Sequence, residues 1–463
     1  MTWFRNKQRQ VCVALLVIHS FVLASLEARA QSPPQTSIAR NEERKLTTAS
    51  GVSTTAGSRY FDPVQGISSS DLVRRALSSN AELAAARIEI DKAKARLRQA
   101  GLRPNPALEF EHTTGRLTSS TGEQETSVGI AVPIELGGKR RRRLQLALAE
   151  LEAVEAEVAD RERRLANEVR VSYAEALAAL RELDTMENLN RLDLQTTRFV
   201  QARVNEGESA PLELNLLMVE VDRLRARRAL VEGRLTASLL RLQTLAGLPP
   251  GEPIRLREDL TAPLVMAPPA SVDAAIEIAL RTRPDLRFAR LNEEVAEAGL
   301  KLARTLGTPD VTVFTRFAVN RSAFDDTPIG VLRDRDKLLT VGVSVGIPVF
   351  NRNQGAKAES IAAISQARVR REFVEALVRA EVRGAYARYE AARAAVATLE
   401  QGVVARSNQN ISVIRAAYEI GEFRISDLIS EQRRLLDSQR EFTEALTERY
   451  RALSDLQAAL GAK

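Results

Sequence analysis

The 463-residue chain carries 67 Lys and Arg against 60 Asp and Glu, and only 4% of its residues are aromatic. That aromatic fraction is low for a set of globular cores, whereas the abundant Ala, Leu, Glu and Arg are typical of long helices. The net charge of +7 is interleaved with acids, as on solvated helix faces, and no aromatic residues accompany it. Nucleic acid is therefore not an expected partner.

The N-terminus has the features of an export signal. Three cations within the first nine residues precede an apolar stretch over residues 11–26, and a small-x-small pattern follows at residues 28–30. The stretch is short for a membrane anchor and predicts a cleaved signal peptide over residues 1–30. The only cysteine, Cys12, lies inside it, so we expect the mature chain to have no lipid anchor and no disulfide.

The rest of the chain is organised as an internal repeat. A Ser/Thr/Gln/Pro-rich segment over residues 31–66 is predicted to be flexible. "VGIAVPI" (residues 128–134) then matches "VSVGIPV" (343–349), and "NEGESAPLEL" (205–214) matches "EIGEFRISDL" (419–428). The matches occur in the same order and predict two copies of one architecture, at residues 67–250 and 271–463, joined by a linker over residues 251–270. Each copy reads as a helix, two strands and two long helices.

The strands alternate strictly. In "LLTVGVSVGIPVF" (338–350), the valines from Val341 to Val349 and Ile347 share one face, while Gly, Ser, Thr and Pro share the other. Such strands suit a membrane barrel wall, although an amphipathic hairpin on a soluble core has the same period. Four strands cannot close, and an open edge is unstable in hydrocarbon. Two copies would give eight strands and a filled interior; three would give twelve and a lumen, which favours a trimer.

The helices following the strands are too long for a globular core. A helix from Lys139 to Val204 would be about 100 Å long. Beyond it, apolar residues recur every seven positions in two offset series, which is the pattern of a coiled-coil seam. The first series is Leu214, Val221, Leu235 and Leu242, and the second is Leu217, Leu224, Val231 and Leu245. The same spacing occurs in the first long helix at Leu144, Leu151, Val158 and Leu165, and in the second copy at Leu428, Leu435, Phe442 and Leu456. We expect these helices to pack lengthwise against one another.

Gly137 and Gly138 separate the second strand from the first long helix and are predicted to form the pivot between them. Five cations over residues 139–143 follow immediately. Cations at a helix N-terminus oppose the helix dipole. Either lipid phosphates at the inner surface of the membrane or plain solvation would favour them, and both alternatives remain open.

Taken together, "VGIAVPIELGGKRRRR", "NEGESAPLEL", "AYEIGEFRISDL" and the duplication resemble the TolC-type outer-membrane efflux proteins, from about residue 70 to 461. The form "PIELGGKR" is most similar to the cobalt–zinc–cadmium branch. The resemblance implies a mixed α/β membrane protein: a homotrimeric, twelve-stranded outer-membrane β-barrel, four strands per chain, continuous with a periplasmic α-helical coiled-coil barrel. It also implies a periplasmic adaptor protein and an inner-membrane pump as partners, outer-membrane lipid around the barrel, and no cofactor.

The same resemblance places a periplasmic constriction at the tips of the helix pairs. The tip turns contain Gly207 and Gly421. Glu213 and Asp427, six residues after each glycine, match the acids that line the constriction in this family.

The gate network departs from the family pattern in two places. Tyr418 matches the gate tyrosine, but Phe423 occupies the place of the gate arginine, and Arg424 follows one position later. Ser430 stands where a second, deeper acid is expected. Arg424 is thus displaced by one position from the gate arginine of the family.

Catalysis finds little support in the sequence. His112, the one histidine outside the signal, lies on a predicted strand as a polar surface residue, and Asp325-Asp326 lies in a predicted loop. No phosphate-binding loop, metal-ligand spacing or nucleophile motif is present. We therefore expect a passive outer-membrane efflux channel with no catalytic residues and no metal site, whose cargo of metal ions follows from the resemblance alone. The competing interpretation is a periplasmic coiled-coil adaptor or scaffold.

Overall fold

A computed structural model describes residues 59–115, 123–249, 251–262, 268–324 and 332–462. The first half contains α1 (Ser69–Ser79), α2 (Ala81–Ala100), β1 (Ala107–Thr114), β2 (Gln124–Ile134), α3 (Lys139–Asn205) and α4 (Pro211–Ala246). The second contains α5 (Val272–Thr282), α6 (Pro284–Thr305), β3 (Val311–Phe324), β4 (Leu332–Val345), α7 (Gln354–Thr398), a π-helical turn (Leu399–Val404), α8 (Ala405–Glu419) and α9 (Ile425–Ala459). The signal peptide and Asp325-Asp326 lie outside the described residues.

Each half begins with two helices rather than the single helix expected. In the first half the break falls at Asn80, whose extended backbone ends α1 and whose Oδ1 accepts from the Leu83 N–H at 2.9 Å. Its amide nitrogen also donates to the Leu245 carbonyl at 3.1 Å. In the second half Arg283 precedes Pro284, and a residue before proline is driven out of the helical region.

The four strands form one antiparallel sheet in the order β1-β2-β3-β4. Its register puts Leu108, Ile130, Thr315 and Val341 side by side on one face. That face is exposed and apolar, with Leu108 at 79% and Val341 at 68%. The predicted alternation is therefore present within the sheet.

The strands differ in length: β1 has 8 residues, and β3 and β4 have 14 each. β4 ends at Val345, so Ile347 and Val349 lie beyond it. Pro348 has no N–H to donate to a ladder. The Val349 N–H instead bonds the Ile347 carbonyl at 3.0 Å, within a turn.

The long helices bury the predicted seams. α3 runs over 67 residues. On α4 and α9 the predicted seven-residue series supply buried core residues. These residues are Leu217, Val221, Leu224, Val231, Leu235 and Leu242 on α4, and Leu428, Leu435, Phe442 and Leu456 on α9. Within the described ranges, none of the helices combines the length and apolar character needed to cross a membrane.

Tyr173 connects α3 to the segments before α1 and after α4. Its hydroxyl donates to the Ile67 carbonyl at 3.1 Å and accepts from the backbone N–H groups of Arg257 and Glu258. The chain before α1 also pairs with the linker, because Phe61 and Ile67 each form a parallel bridge with Leu256. The described part of the N-terminal segment is therefore hydrogen-bonded to the linker.

The repeat extends to the backbone at the start of the long helices. Gly138 precedes α3 with φ of 72°, and Asn353 precedes α7 with φ of 59°. The two positions are 215 residues apart, the same offset as the matched strands. Asparagine and glycine tolerate left-handed backbone better than other residues. The same conformation thus begins both helices.

Candidate functional site: the tips of the helix pairs

The two tip turns have the same backbone. Gly207 has φ of 80° and Gly421 has φ of 84°. In the first turn the Glu208 N–H donates to the Arg203 carbonyl at 2.8 Å, and in the second the Glu422 N–H donates to the Ala417 carbonyl at 2.9 Å. This is a Schellman-type helix end, which requires a left-handed residue. Both glycines that the sequence places in these turns have the left-handed conformation.

Tyr418 lies at the centre of the contact between the two tips. It is 3% exposed and packs in a cluster with Val200 of α3 and Leu217 of α4. Ile425, Leu428 and Ile429 of α9 complete the cluster. The Phe199 ring meets the Tyr418 ring edge to face, with centroids 6.5 Å apart. One aromatic side chain of the second tip is thus buried against both helices of the first.

The Tyr418 hydroxyl is buried without satisfying hydrogen-bond geometry to any partner in the described chain. Burial raises the pKa of Tyr418, and the nearby Glu213 carboxylate raises it further, whereas Arg203 acts in the opposite direction. Arg203 lies over the Phe199 ring at 5.8 Å and approaches Glu208 at 3.6 Å. Because the Glu213 carboxylate acts on Tyr418, it lies on the side of its helix that faces the second tip.

Asp427 has a different role in the single chain. Its Oδ2 accepts from the Arg424 N–H at 3.1 Å, and its own N–H donates to the Arg424 carbonyl at 3.0 Å. The carboxylate thereby caps the start of α9, a position where the helix dipole favours negative charge. Both residues are exposed, and neither forms an ion pair with a described residue. Arg424 and Tyr418 are thus not joined within one chain.

A buried acid near the tips was not identified from the sequence. Asp193 on α3 is 5% exposed, and its Oδ1 accepts from Gln432 of α9 at 2.7 Å. Burial raises the pKa of Asp193 to about 6; the Gln432 hydrogen bond opposes this rise, and Glu220 adds to it. Ser430, which stands at the family's deeper acid position, instead donates to its own helix at the Ser426 carbonyl.

A sequence signal for Asp193 did exist. The buried residues of α3 near the tip recur every three or four positions, at Leu183, Met186, Leu189, Asp193, Thr196 and Val200. An acid in an otherwise apolar helical stripe predicts a buried, partnered carboxylate. The seven-residue series followed on α3 ended before this stretch.

The strand–helix pivot is close-packed. Gly137 has φ of 69°, and a Cβ at this position would come within 3.0–3.2 Å of the Thr308 side chain. The Leu136 N–H donates to Asp310 Oδ1 at 3.1 Å, and Lys139 Nζ lies 2.8 Å from Asp310 Oδ2. Burial alone would raise the pKa of Asp310, but these two hydrogen bonds hold that pKa below its usual range. Only glycine fits Gly137's backbone and space.

The cations that follow the pivot were expected to face lipid phosphates or solvent, but two of the five, Lys139 and Arg143, instead pair with acids of the protein. Lys139 is buried and pairs with Asp310. Arg140 donates to the Gly101 carbonyl at 2.6 Å, and Arg143 forms an ion pair with Glu135. Lys139 and Arg143 neutralise nearby acids, and Arg140 donates to a backbone carbonyl. These contacts offset the unfavourable interaction of the cations with the helix dipole.

His112 lies on β1 as a polar surface residue, with Nδ1 2.9 Å from Thr126 Oγ1. Among the residues with described positions, no group of His, Cys, Asp or Glu has the arrangement of a metal site.

A long helical pair in each repeat, a four-stranded sheet with one apolar face, and polar turns at the helix tips define an outer-membrane channel protein. The family of outer membrane efflux proteins matches residues 72–248 and 275–462, so the chain belongs to that family. It is 23% identical over 391 residues to the cobalt-zinc-cadmium resistance protein CzcC of Cupriavidus metallidurans, covering 83% of this chain and 88% of that protein.

Two further comparisons extend over almost the whole chain. The pyoverdine export outer membrane protein OpmQ of Pseudomonas putida is 26% identical over 462 residues, covering 95% of this chain and 94% of that one. The crystal structure of CusC superposes with a TM-score of 0.70 at 20% identity, covering 95% of this chain and all of that chain. These comparisons confirm the TolC-type resemblance and its metal-resistance branch.

The chain is therefore an outer-membrane efflux component, with its long helices in the periplasm. The family comprises passive channels rather than enzymes. The competing interpretation, a periplasmic adaptor, is set aside, because the family match includes both repeats with their strands.

Proposed function

We propose that three copies of this chain assemble into one duct, with twelve strands in the outer membrane and the helix tips forming its closed periplasmic entrance. The observation that supports this proposal is the four-stranded sheet, which does not close on itself within one chain. β1 and β4 are its two edges, and its exposed face is apolar. Unpaired edge groups are unstable in hydrocarbon, so copies joined edge to edge would satisfy them. Three copies give a barrel wide enough for a lumen.

Cysteine cross-linking between the sheet edges tests this assembly. Phe110→Cys on β1 is combined in turn with Leu339→Cys, Val341→Cys and Val343→Cys on β4, all on the apolar face. We expect oxidation to give a covalent trimer for at least one pair. Phe110→Cys with Ile361→Cys, on α7, is the matched control. Dimers alone for every edge pair, or no species above the monomer, would contradict the trimer.

At the tips, Glu213 and Asp427 form the acidic constriction of this duct, and Tyr418 keeps the second tip packed inward. Three copies of two acids around one axis would attract cations and repel anions. Arg424 would contribute an ion pair only with a neighbouring copy, since it has none with the described residues of its own chain. Gly207 and Gly421 supply the sharp turns, and Gly137 with Gly138 the pivot at the membrane.

The cargo we propose is divalent metal cations. The inward face of the sheet supports this choice, because five of its six ionisable residues are acids. The acids are Glu109, Glu111, Glu125, Asp334 and Asp336, and the cation is Arg316. Metal resistance of the cells distinguishes this cargo from pyoverdine, which the relative OpmQ is named for exporting. We expect deletion of the gene to sensitise cells to zinc, cobalt or cadmium; sensitivity to none of these would contradict it.

A periplasmic adaptor and an inner-membrane pump complete the proposed system, since the channel has no energy source of its own. Exposed apolar residues at both tips favour adaptor contact there: Leu212 is 65% exposed, Ile420 73% and Phe423 44%. Such residues are suited to burial by a partner.

A further inference from the structure

The four strands separate their charges between the two faces of the sheet. Every acid on the described strands shares the face of the small residues Ser127, Gly129 and Gly342. Arg316 lies on that face as well, 3.6 Å from both Glu109 and Glu111. On the described strands the opposite, apolar face thus carries no carboxylate.

Cations appear on the apolar face only at one end. The apolar run on β4 extends from Val345 back to Leu339, and the next residue on that face is Lys337, followed by Arg335. On β3, Arg321 lies directly opposite Arg335. All three side chains are exposed, and none forms an ion pair with a described residue.

This arrangement is unfavourable without an anion. Like charges directly opposite each other destabilise an antiparallel pair, and Lys337 is the adjacent residue on the same face. The neighbouring acids, Asp334 and Asp336, alternate to the other face of β4 and cannot neutralise these cations. The cluster of Arg321, Arg335 and Lys337, here called the rim cluster, therefore presents positive charge that no described residue neutralises.

The position of the rim cluster identifies the surroundings. The long helices, which lie in the periplasm, follow the ends of β2 and β4 at Ile134 and Val345. The rim cluster lies toward the other end of the strands, past the apolar band. In the membrane barrel proposed above, on which this inference rests, that is the level of the headgroups in the outer leaflet.

We propose that the rim cluster is a binding site for the phosphate groups of the phosphorylated glycolipid of the outer leaflet. Arg321 and Arg335 would each donate paired N–H groups to phosphate oxygens, and the Lys337 ammonium would add a point charge. The apolar residues immediately below, Phe317, Leu339 and Val341, contact the acyl chains of the same lipid. One lipid thus neutralises the cations and covers the apolar face.

Native mass spectrometry of the detergent-purified full-length assembly tests the site. The probes are bisphosphorylated lipid A and the same lipid A after chemical removal of both phosphates. We expect the wild type to retain the bisphosphorylated form about tenfold better, because cations next to a headgroup each favour its binding. The Arg321→Gln/Arg335→Gln/Lys337→Gln variant should retain the two forms about equally.

Two matched variants control for charge. Arg287→Gln/Arg304→Gln/Arg383→Gln removes three exposed helical cations that form no ion pair with described residues, and it should keep the wild-type preference. Arg321→Lys/Arg335→Lys keeps the charge of the rim cluster and should retain most of the preference. Heat-resistant oligomers on gels verify assembly. If the triple rim variant does not assemble, Arg335→Gln alone should still lower the preference severalfold.

The outcomes separate this site from the barrel itself. Equal wild-type retention of both forms overturns the phosphate site but leaves the barrel intact. Wild type that retains neither form, and binds no phospholipid, contradicts the membrane barrel. Loss of the preference in millimolar inorganic phosphate would show a free-phosphate site and overturn the lipid assignment. A rim variant with an unchanged preference overturns the role of these three residues.

Discussion

The two helix-pair tips share one backbone turn but differ in their side-chain contacts. Positions 214 residues apart correspond, so Val204 in the first tip corresponds to Tyr418 in the second, and Ala210 to Arg424. The first tip starts α4 from Ala210 without a side-chain cap, whereas the second starts α9 with Asp427 bonded to Arg424. Duplication has kept the glycine turn and changed the residues that hold each tip in place.

This difference indicates that the second tip is held in place by its packing against the first. Tyr418 is buried among residues of three helices, so moving the second tip away from the first exposes an aromatic ring. Val204, its counterpart, is only partly buried. Glu213 and Asp427 also occupy corresponding positions, yet Asp427 caps its own helix and Glu213 acts across the gap on Tyr418. The acids that the resemblance groups together are therefore not equivalent.

Among the substitutions that test this comparison, Tyr418→Ala should destabilise the tips most. Loss of a buried aromatic ring costs about 3–4 kcal/mol, whereas Val204→Ala should cost about 1 kcal/mol. We expect amide hydrogen exchange at both tips to accelerate strongly in Tyr418→Ala and weakly in Val204→Ala. Equal effects at the two positions would contradict the conclusion that Tyr418 holds the second tip in place.

Tyr418→Phe separates the ring from its hydroxyl. The hydroxyl meets hydrogen-bond geometry with no described residue, although Glu213 lies near it, so its removal should leave exchange unchanged or slower. Faster exchange in this variant would show that a hydrogen bond of the hydroxyl, to Glu213 or to a neighbouring copy, holds the second tip.

Asp193→Asn should change the pH dependence of stability near the tips. The folded-state pKa of about 6 exceeds the ordinary aspartate value of 3.8, so the folded protein retains a proton that the unfolded chain releases. This contribution favours folding at low pH and is lost as pH rises from about 4 through about 6, a change of about 2–3 kcal/mol. Asparagine keeps an acceptor for Gln432 and should flatten that profile.

Apparent melting temperatures of the purified protein between pH 4 and 7.5 measure this effect. Ser430→Ala, an exposed residue of α9, is the control and should leave the wild-type profile unchanged. An Asp193→Asn variant with the wild-type pH profile would show that another group titrates.

A smaller effect than that of Asp193→Asn is expected at the helix starts. Asp427→Ala removes a capping carboxylate and should destabilise the first turn of α9 by about 1 kcal/mol. Glu213→Ala, at the corresponding position of α4, removes no side-chain capping bond and should change exchange in that turn by less than half as much. Exchange rates over residues 211–217 and 425–431 give the comparison; a larger effect at Glu213 would reverse it.

The architecture was predictable where it depends on period and turn chemistry. The seven-residue series of α4 and α9, the strand alternation and the two glycine turns all follow from local sequence. The break at Asn80 was missed although its cap to the Leu83 N–H is local, because the bond that also holds its side chain, to Leu245, lies far along the chain. The ion pair of Lys139 with Asp310 was missed because the two residues lie more than 170 positions apart. The burial of Asp193 was missed for another reason: the local apolar stripe that contains it was not followed.

Ion selectivity in planar bilayers tests most directly whether the acidic tips form the entrance of the duct. The variants are Glu213→Ala/Asp427→Ala and, as a control, Glu359→Ala/Asp437→Ala, which removes the same number of acids from α7 and α9 away from the tips. We expect the tip variant to lose most of the cation preference of the wild type, because a ring of carboxylates favours cations at a constriction, while the control keeps it. Unchanged cation selectivity in the tip variant would place the constriction elsewhere and contradict the assignment.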